Sequence, residues 1–227
     1  TCISVVKYGQ GFGFLGFYIA RPPVRAKGYG IKNWQAGMAR LAGRNVGLDG
    51  VVAQQANYRK SGFRNAWNNI RYEGAAFEAK TPADVNLFDA RSISFDQLAA
   101  YDRRFFPEAR DSFLASWISL TERASMVAMR DGKIVGFAVI RACQAASRVG
   151  PLFADSADIA AALVSELAIV TRATAVAIDI PDINKPAVAL AEKAGLKPSF
   201  ETARMYTAAN PDIDYAGLYG VTSLELG

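Results

Sequence analysis

The sequence predicts an α/β protein built from two units of similar organisation. Strand-like and helix-like runs alternate along its 227 residues, and the order of elements seen near the N-terminus recurs after residue 81. About half of the residues, 51%, are apolar, which is enough to bury a substantial core. We place the first unit at residues 1–80 and the second at residues 81–227.

The first unit begins with two strand-like runs, Ile3 to Tyr8 and Phe12 to Ala20. A basic loop with two glycines follows at residues 25–30, with the sequence Arg-Ala-Lys-Gly-Tyr-Gly, and it opens a helix with one apolar face. A helix N-terminus offers unpaired N–H donors and a partial positive charge, so this loop is typical of a phosphate site. Taken alone, the loop is equally compatible with a tight structural connection.

A second motif follows a short predicted strand at residues 46–48. Residues 57–63 read Asn-Tyr-Arg-Lys-Ser-Gly-Phe, which places Tyr58 near the end of a helix. An Arg-x-x-Gly-x-Gly loop, a strand and then Tyr-x-x-x-Gly-Phe together resemble the GNAT superfamily of N-acetyltransferases. The resemblance implies that each unit is a mostly antiparallel mixed sheet flanked by helices.

The resemblance also implies a site for acetyl-coenzyme A as the acetyl donor. In that family the strand before the loop diverges from its neighbour and pairs with the pantetheine arm, and the loop holds the pyrophosphate. The implied cofactor-binding residues are Phe17, Tyr18, Ile19, Ala20, Arg25, Ala26, Lys27, Gly28, Tyr29, Gly30, Asn57 and Lys60. Members often have glycine at the place of Ala26, and we expect alanine to be tolerated there with a negative φ.

Catalytic roles are predicted for two residues. The resemblance implies that Tyr58 is the general acid that protonates the departing thiolate, and a phenol with a pKa of about 10 suits a thiol with a pKa of about 8.5. Residues 1–48 contain no Asp or Glu, so Asp49, which follows a strand, is the first candidate for the general base. The alternatives are that Asp49 caps the following turn, and that a water or a carboxylate outside this chain acts as the base.

Charge and composition narrow the functional classes. Residues 1–80 contain 12 Lys and Arg against 3 Asp and Glu, whereas the remaining residues contain 14 against 18. A basic first unit suits a polyanionic ligand such as coenzyme A, and no helix-turn-helix, zinc or RNP pattern points to nucleic acid. The absence of histidine argues against a metal site and a Ser-His-Asp site. Without a signal peptide or an apolar run of about 20 residues, we expect a cytoplasmic protein with no membrane partner.

The second unit repeats the element order but lacks the chemistry. Asp131-Gly132 predicts a tight hairpin between two strands. We expect the loop before the helix of the second unit at residues 148–151, whose sequence Arg-Val-Gly-Pro contains no Gly-x-Gly. Ala191 occupies the position that corresponds to Tyr58. The chain therefore resembles tandem GNAT enzymes, with acetyl transfer in the first unit. The second unit would then cover the site, orient the substrate or only stabilise the first unit.

The first unit lacks the elements that open a full GNAT unit. We therefore expect that the chain is a fragment, or that another subunit supplies the missing layer. A homodimer is compatible with the sequence. The predicted function is N-acetyltransfer to a primary amine of a small molecule by direct attack in a ternary complex. Two alternatives stay open. One is a noncatalytic sensor of acyl-coenzyme A, and the other, weaker one is a nucleic-acid binder.

Overall fold

A computed structural model describes all residues, 1–227. Its strands join into a single eleven-stranded sheet. The strands are β1 (Cys2–Tyr8), β2 (Phe12–Ile19), β3 (Asn45–Val51), β4 (Arg64–Ala75), β5 (Asn86–Asp89), β6 (Arg123–Arg130), β7 (Lys133–Arg141), β8 (Ser147–Ala154), β9 (Ala175–Pro181), β10 (Lys197–Tyr206) and β11 (Leu218–Gly220).

Helices cover the sheet on both faces. They are α1 (Tyr29–Arg40), α2 (Gln55–Lys60), α3 (Phe95–Asp102), α4 (Asp111–Ser119), α5 (Ala157–Thr171) and α6 (Lys185–Lys193), with short 3-10 turns at Pro22–Val24, Val52–Gln54 and Ala90–Ser92. None of these helices combines the length and the apolar character that crossing a bilayer requires. The predicted α/β class, with a mixed open sheet flanked by helices, is confirmed.

The strand order is β1-β2-β3-β10-β4-β9-β8-β7-β6-β5, and β11 pairs with β8. Two neighbouring pairs are parallel, β2 with β3 and β8 with β9. The other pairs are antiparallel. Each parallel pair separates a group of antiparallel strands from the centre of the sheet.

The centre of the sheet mixes the two halves of the chain. Strand β10, from the second half, lies between β3 and β4 of the first half, and β4 in turn lies between β10 and β9. Each half thus places its last long strand, β4 or β10, next to strands of the other half. The division into two units at residue 81 stays a prediction, because strands from both sides of that residue pair with one another in one continuous sheet.

Local sequence accounts for several elements. Helix α5 has Ser156 as its N-cap and buries an apolar face against β6, β7 and β8. The predicted hairpin between β6 and β7 is confirmed, since Asp131 and Gly132 both have positive φ, as a type I′ turn requires. Strand β4, with 12 residues, is the longest strand and is paired on both edges, with β10 and with β9.

Two expectations about loops are wrong. Residues 148–151 do not form the loop before a helix. They lie in β8, and α5 begins after Asp155 and Ser156. Ala26 does not keep a negative φ; its φ is +57°, in the left-handed region that glycine occupies more easily.

Candidate active site

A cleft opens where β2 and β3 part. The two strands pair in parallel from Phe12 to Leu15 and from Asn45 to Leu48, and both continue for several residues without pairing to each other. A cavity of about 760 Å³ lies in the gap. Its lining comprises Leu15, Gly16, Phe17, Tyr18, Ile19, Ala20, Val24, Arg25, Ala26, Gly28, Gly30, Ile31, Leu48, Asp49, Val51, Gln54, Tyr58, Phe200, Thr202, Leu224 and Glu225.

One wall of the cleft is the N-terminus of α1. Gly28 is the N-cap residue with a φ of +80°, and no side chain caps the helix or adds an acidic group to its first turn. The backbone N–H groups of residues 26–31 donate no hydrogen bond within the chain. Arg25 is held beside them by a 2.9 Å bond from its Nε to the carbonyl of Ala20. Free donors, a helix dipole and a guanidinium together make this wall suited to an anion.

An aromatic stack forms another wall of the cavity through Tyr18 and Tyr58, which line it. Trp34 lies between Tyr18 and Tyr58, with ring centroids 5.3 and 5.5 Å away. Two glycines make room for these rings: a Cβ on Gly30 would lie 2.8 Å from the Tyr18 hydroxyl oxygen, and one on Gly50 would lie 2.8 Å from the Tyr58 ring. The positions of the tyrosines therefore depend on close backbone approach.

Tyr58 is the titratable group of this wall with a perturbed pKa. Its side chain is 9% exposed, and its hydroxyl makes no hydrogen bond within the chain. Burial raises the pKa of Tyr58, and the neighbouring Tyr18 raises it further. The phenol is therefore protonated at neutral pH and has a proton to donate into the cavity.

Asp49 lies at the vertex of the cleft, one residue beyond the last pair of β2 and β3. Its carboxylate accepts two bonds from Arg204, at 2.9 and 2.8 Å, and one of 2.7 Å from Nδ2 of Asn69. Burial raises the pKa of Asp49, and the charge and hydrogen bonds of Arg204 oppose that effect. The same ion pair raises the pKa of Arg204 against the cost of its burial. Both carboxylate oxygens are thus engaged.

Residues from the second half of the chain complete the site, and sequence reasoning missed them. Phe200 and Thr202 of β10 line the cavity because that strand is paired with β3. Leu224 and Glu225 line it from the segment that follows β11. Their signal in the sequence is weak, since nothing local indicates that residues after 197 reach a cleft formed by residues 12–51.

Not every predicted residue reaches the cavity. Ten of them line it: Phe17, Tyr18, Ile19, Ala20, Arg25, Ala26, Gly28, Gly30, Asp49 and Tyr58. Lys27 and Tyr29 belong to the same loop but face outward, and Tyr29 is 54% exposed. Asn57 and Lys60 lie on α2 outside the lining, and Asn57 donates to Gln54 instead.

Comparison with known proteins identifies the family. The family described as "Acetyltransferase (GNAT) domain" matches residues 98–220. The holothin acyltransferase of a Pseudoalteromonas species is 30% identical over 227 residues, which cover 99% of this chain and 76% of that protein. The chain belongs to the GNAT acetyltransferases. It is therefore an enzyme of acetyl transfer, and GNAT acetyltransferases use acetyl-coenzyme A as the donor.

Two further similarities support the GNAT assignment. An uncharacterized N-acetyltransferase of Bacillus subtilis, YitH, is 26% identical over 171 residues, which cover 75% of this chain and 60% of that protein. A putative acetyltransferase from Pyrococcus horikoshii superposes with a TM-score of 0.83 at 18% identity, covering 99% of this chain and 75% of that one. At that identity the likeness shows a common fold.

The sheet has a second place where parallel strands part, and here the chain fills it. Strands β8 and β9 pair from Ser147 to Val149 and then separate. Strand β11 lies in that gap, bonded to β8 and followed by a 3.0 Å bond from the N–H of Val221 to the carbonyl of Asp179. A Cβ on Gly220 would lie 2.8 Å from Cγ2 of Ile178. The gap has no room for a ligand.

Proposed function

We propose that this GNAT enzyme transfers an acetyl group from acetyl-coenzyme A to a primary amine of a small molecule, in the cleft between β2 and β3. The observation that carries the proposal is the pairing of two features in one cavity. One wall carries free N–H donors at the N-terminus of α1, and the other carries the protonated phenol of Tyr58.

The anion wall fits the pyrophosphate of the donor. Six consecutive N–H groups, at residues 26–31, have no acceptor in the chain, and the residues that carry them are exposed except for the half-buried Gly30, so these donors are open to a ligand. A diphosphate supplies acceptor oxygens and negative charge to these donors. The apolar edge of β2 beyond Gly16 extends from this wall toward the vertex, as an elongated thioester requires.

Tyr58 supplies the proton for the leaving group. The amine nitrogen attacks the thioester carbonyl carbon, the C–S bond breaks, and the phenol gives its proton to the sulfur while the new amide nitrogen loses one to water. The raised pKa of Tyr58 keeps that proton available at neutral pH. Direct attack needs both reactants in the cleft at once, so positioning contributes much of the rate.

The geometry favours a positioning role for Asp49 over a role as base. A base needs a lone pair that faces the substrate, and both oxygens of Asp49 already accept charge-assisted bonds. Taking a further proton would break a buried ion pair, which costs several kcal/mol. We therefore assign Asp49 to holding β10 against β3 at the vertex.

The contrast between the two gaps supports acetyl transfer in the first half. The gap between β8 and β9 is filled by β11, and the N-terminus of α5 has Ser156 as a side-chain cap. Helix α1 has no side-chain cap, and the gap between β2 and β3 beside it is open. The Pseudoalteromonas relative is named as an acyltransferase of holothin, which supports acyl transfer as the chemistry. A segment of the second half borders the cleft, and this narrowing favours a small acceptor over a protein chain.

Calorimetric titration with acetyl-coenzyme A tests the proposal. Gly28 can be replaced by Asp, which places a negative charge at the anion wall, and by Asn, which has the same shape and tolerates the same φ. We expect micromolar binding by the natural chain and by Gly28→Asn, and a loss of at least about tenfold in Gly28→Asp. Gly43→Asp, at a glycine with the same φ of +80° beyond the other end of α1, should bind normally. No binding by the natural chain would refute the proposal.

A further inference from the structure

The cavity contains one carboxylate with nothing in the chain to neutralise it. Asp49 and Glu225 are the two acidic residues of the lining. Asp49 is neutralised by Arg204, whereas the side chain of Glu225 forms no ion pair and accepts no hydrogen bond. Arg25, the basic residue of the lining, is bonded to the carbonyl of Ala20 at the other end of the loop. Glu225 is therefore the acidic residue of the lining that has no partner for its charge within the chain.

Glu225 lies at the vertex of the cleft. A Cβ on Gly16 would lie 2.8 Å from the Cα of Glu225, and Gly16 is the first residue of β2 beyond its pairing with β3. Asp49 is the corresponding first residue of β3. The backbone of Glu225 thus packs on the point where the strands part, and only a residue without a side chain at position 16 allows that approach.

Contacts with both halves of the chain hold this segment in place. On one side, the N–H of Val221 binds the carbonyl of Asp179, and the hydroxyl of Thr222 accepts a 3.0 Å bond from Arg110. On the other side, the hydroxyl of Tyr8 donates a 2.8 Å bond to the carbonyl of Leu226. The segment 221–227 is therefore fixed between anchors.

The anchor on the second half is a buried ion pair. The side chains of Arg110 and Asp102 are 1% and 2% exposed, and the guanidinium donates two bonds to that carboxylate, at 2.8 and 2.7 Å. A third bond goes to Thr222. Because a buried guanidinium must keep its partners, this network fixes the position of Thr222 and with it the residues that follow.

We propose that Glu225 is the specificity-determining residue that receives the cationic amine of the acceptor. Simple primary amines are ammonium ions at neutral pH, and an unpaired carboxylate on a residue whose backbone packs at the vertex attracts them toward the place where the thioester would lie. This inference rests on the proposed function. It adds that the acceptor amine arrives as a cation, which gives up one proton to water before its nitrogen attacks the thioester. It also adds that the residue which selects the amine comes from the second half of the chain.

Steady-state kinetics with a panel of cationic primary amines, beside methoxyamine, which is uncharged at neutral pH, tests the inference. We expect Glu225→Gln to raise the KM of the best cationic amine at least about tenfold and to raise the KM of methoxyamine by a much smaller factor. Glu225→Asp should recover part of the loss. Glu201→Gln removes an exposed charge from the neighbouring strand β10 and serves as the matched control.

Calorimetry with acetyl-coenzyme A separates the two possible failures. Unchanged donor affinity in Glu225→Gln together with a raised amine KM supports the inference. An unchanged amine KM, or equal losses for methoxyamine and the cationic amine, overturns it and leaves the proposed function standing. Failure of the natural chain to bind the donor or to acetylate any amine overturns the proposed function itself.

Discussion

Arg204 and Asp49 face each other across β10 and β3, although 155 residues separate them in sequence. Their side chains are 6% and 0% exposed and are joined by two hydrogen bonds. The guanidinium also lies 5.0 Å from the centre of the Phe14 ring and 5.7 Å from that of Trp67. One ion pair thus ties the last long strand of the chain to the vertex of the cleft.

Removing one partner of this pair should destabilise the protein strongly. Arg204→Met leaves a buried carboxylate with Asn69 as its single donor, and we expect the free energy of unfolding to fall by about 3–5 kcal/mol. Urea denaturation measures the loss. The double variant Asp49→Leu with Arg204→Met should be more stable than Arg204→Met alone, because no unpaired charge remains. A double variant that merely adds the two single losses would show that the pair is not coupled.

Tyr58→Phe should separate chemistry from binding. Loss of the phenolic proton is expected to lower kcat by about 10²–10⁴, while the Kd for acetyl-coenzyme A stays within about twofold. The matched control is Tyr29→Phe, which removes an exposed phenol on the loop. Equal kcat in Tyr58→Phe and the natural enzyme would exclude Tyr58 as the acid. Loss of turnover with a parallel loss of affinity would instead indicate damage to the aromatic wall.

The pH dependence of kcat should reflect the same group. A general acid works only while protonated, and burial raises the pKa of Tyr58 above the ordinary value of about 10. Activity should therefore persist through pH 9–10 and decline only above that range. Tyr58→Phe should lack this alkaline decline in its residual activity. If kcat declines at a pH below 9 and the decline persists in Tyr58→Phe, a group other than Tyr58 causes it.

Ala26 should be a site where glycine stabilises. Its φ of +57° is strained for a residue with a Cβ, by about 1 kcal/mol or more. Ala26→Gly relieves that strain and loses part of the gain to the greater freedom of the unfolded chain, so we expect a net increase of about 0.5 kcal/mol in the free energy of unfolding. Ala42→Gly, at an exposed alanine without positive φ, should lower it. A decrease in both variants would contradict the strain argument.

Local patterns predicted the elements on which the site is built. The glycine-rich loop, the helix behind it and Tyr58 lie within 50 residues of one another, and each has a signature with a local physical cause, such as the N-terminus of α1. The place of strand β10 between β3 and β4 depends on pairing between residues more than 120 apart. Period and propensity carry no information on such partners, so Phe200 and Thr202 could not be assigned to the cleft.

The same limit applies to the residues after β11. Segment 221–227 has no strong pattern, and its position follows from tertiary anchors such as Arg110 and Tyr8. The misplaced loop at 148–151 has a different cause. The repeated order of elements placed the loop at these residues, whereas Pro151 lies within β8, where the strand leaves its pairing with β9.

Gly16→Ala should displace segment 221–227 while the rest of the fold stays intact. The new Cβ would clash with the carbonyl oxygen and the Cα of Glu225. Backbone atoms cannot rotate away as a side chain can, so the segment itself must move. We expect a loss of about 1–3 kcal/mol in the free energy of unfolding and a raised KM for the amine. Gly74→Ala in β4 is the matched control, because the nearest atom there is a methyl carbon of Leu196 at 3.1 Å. If both variants keep the amine KM of the natural enzyme, the position of Glu225 does not govern acceptor binding.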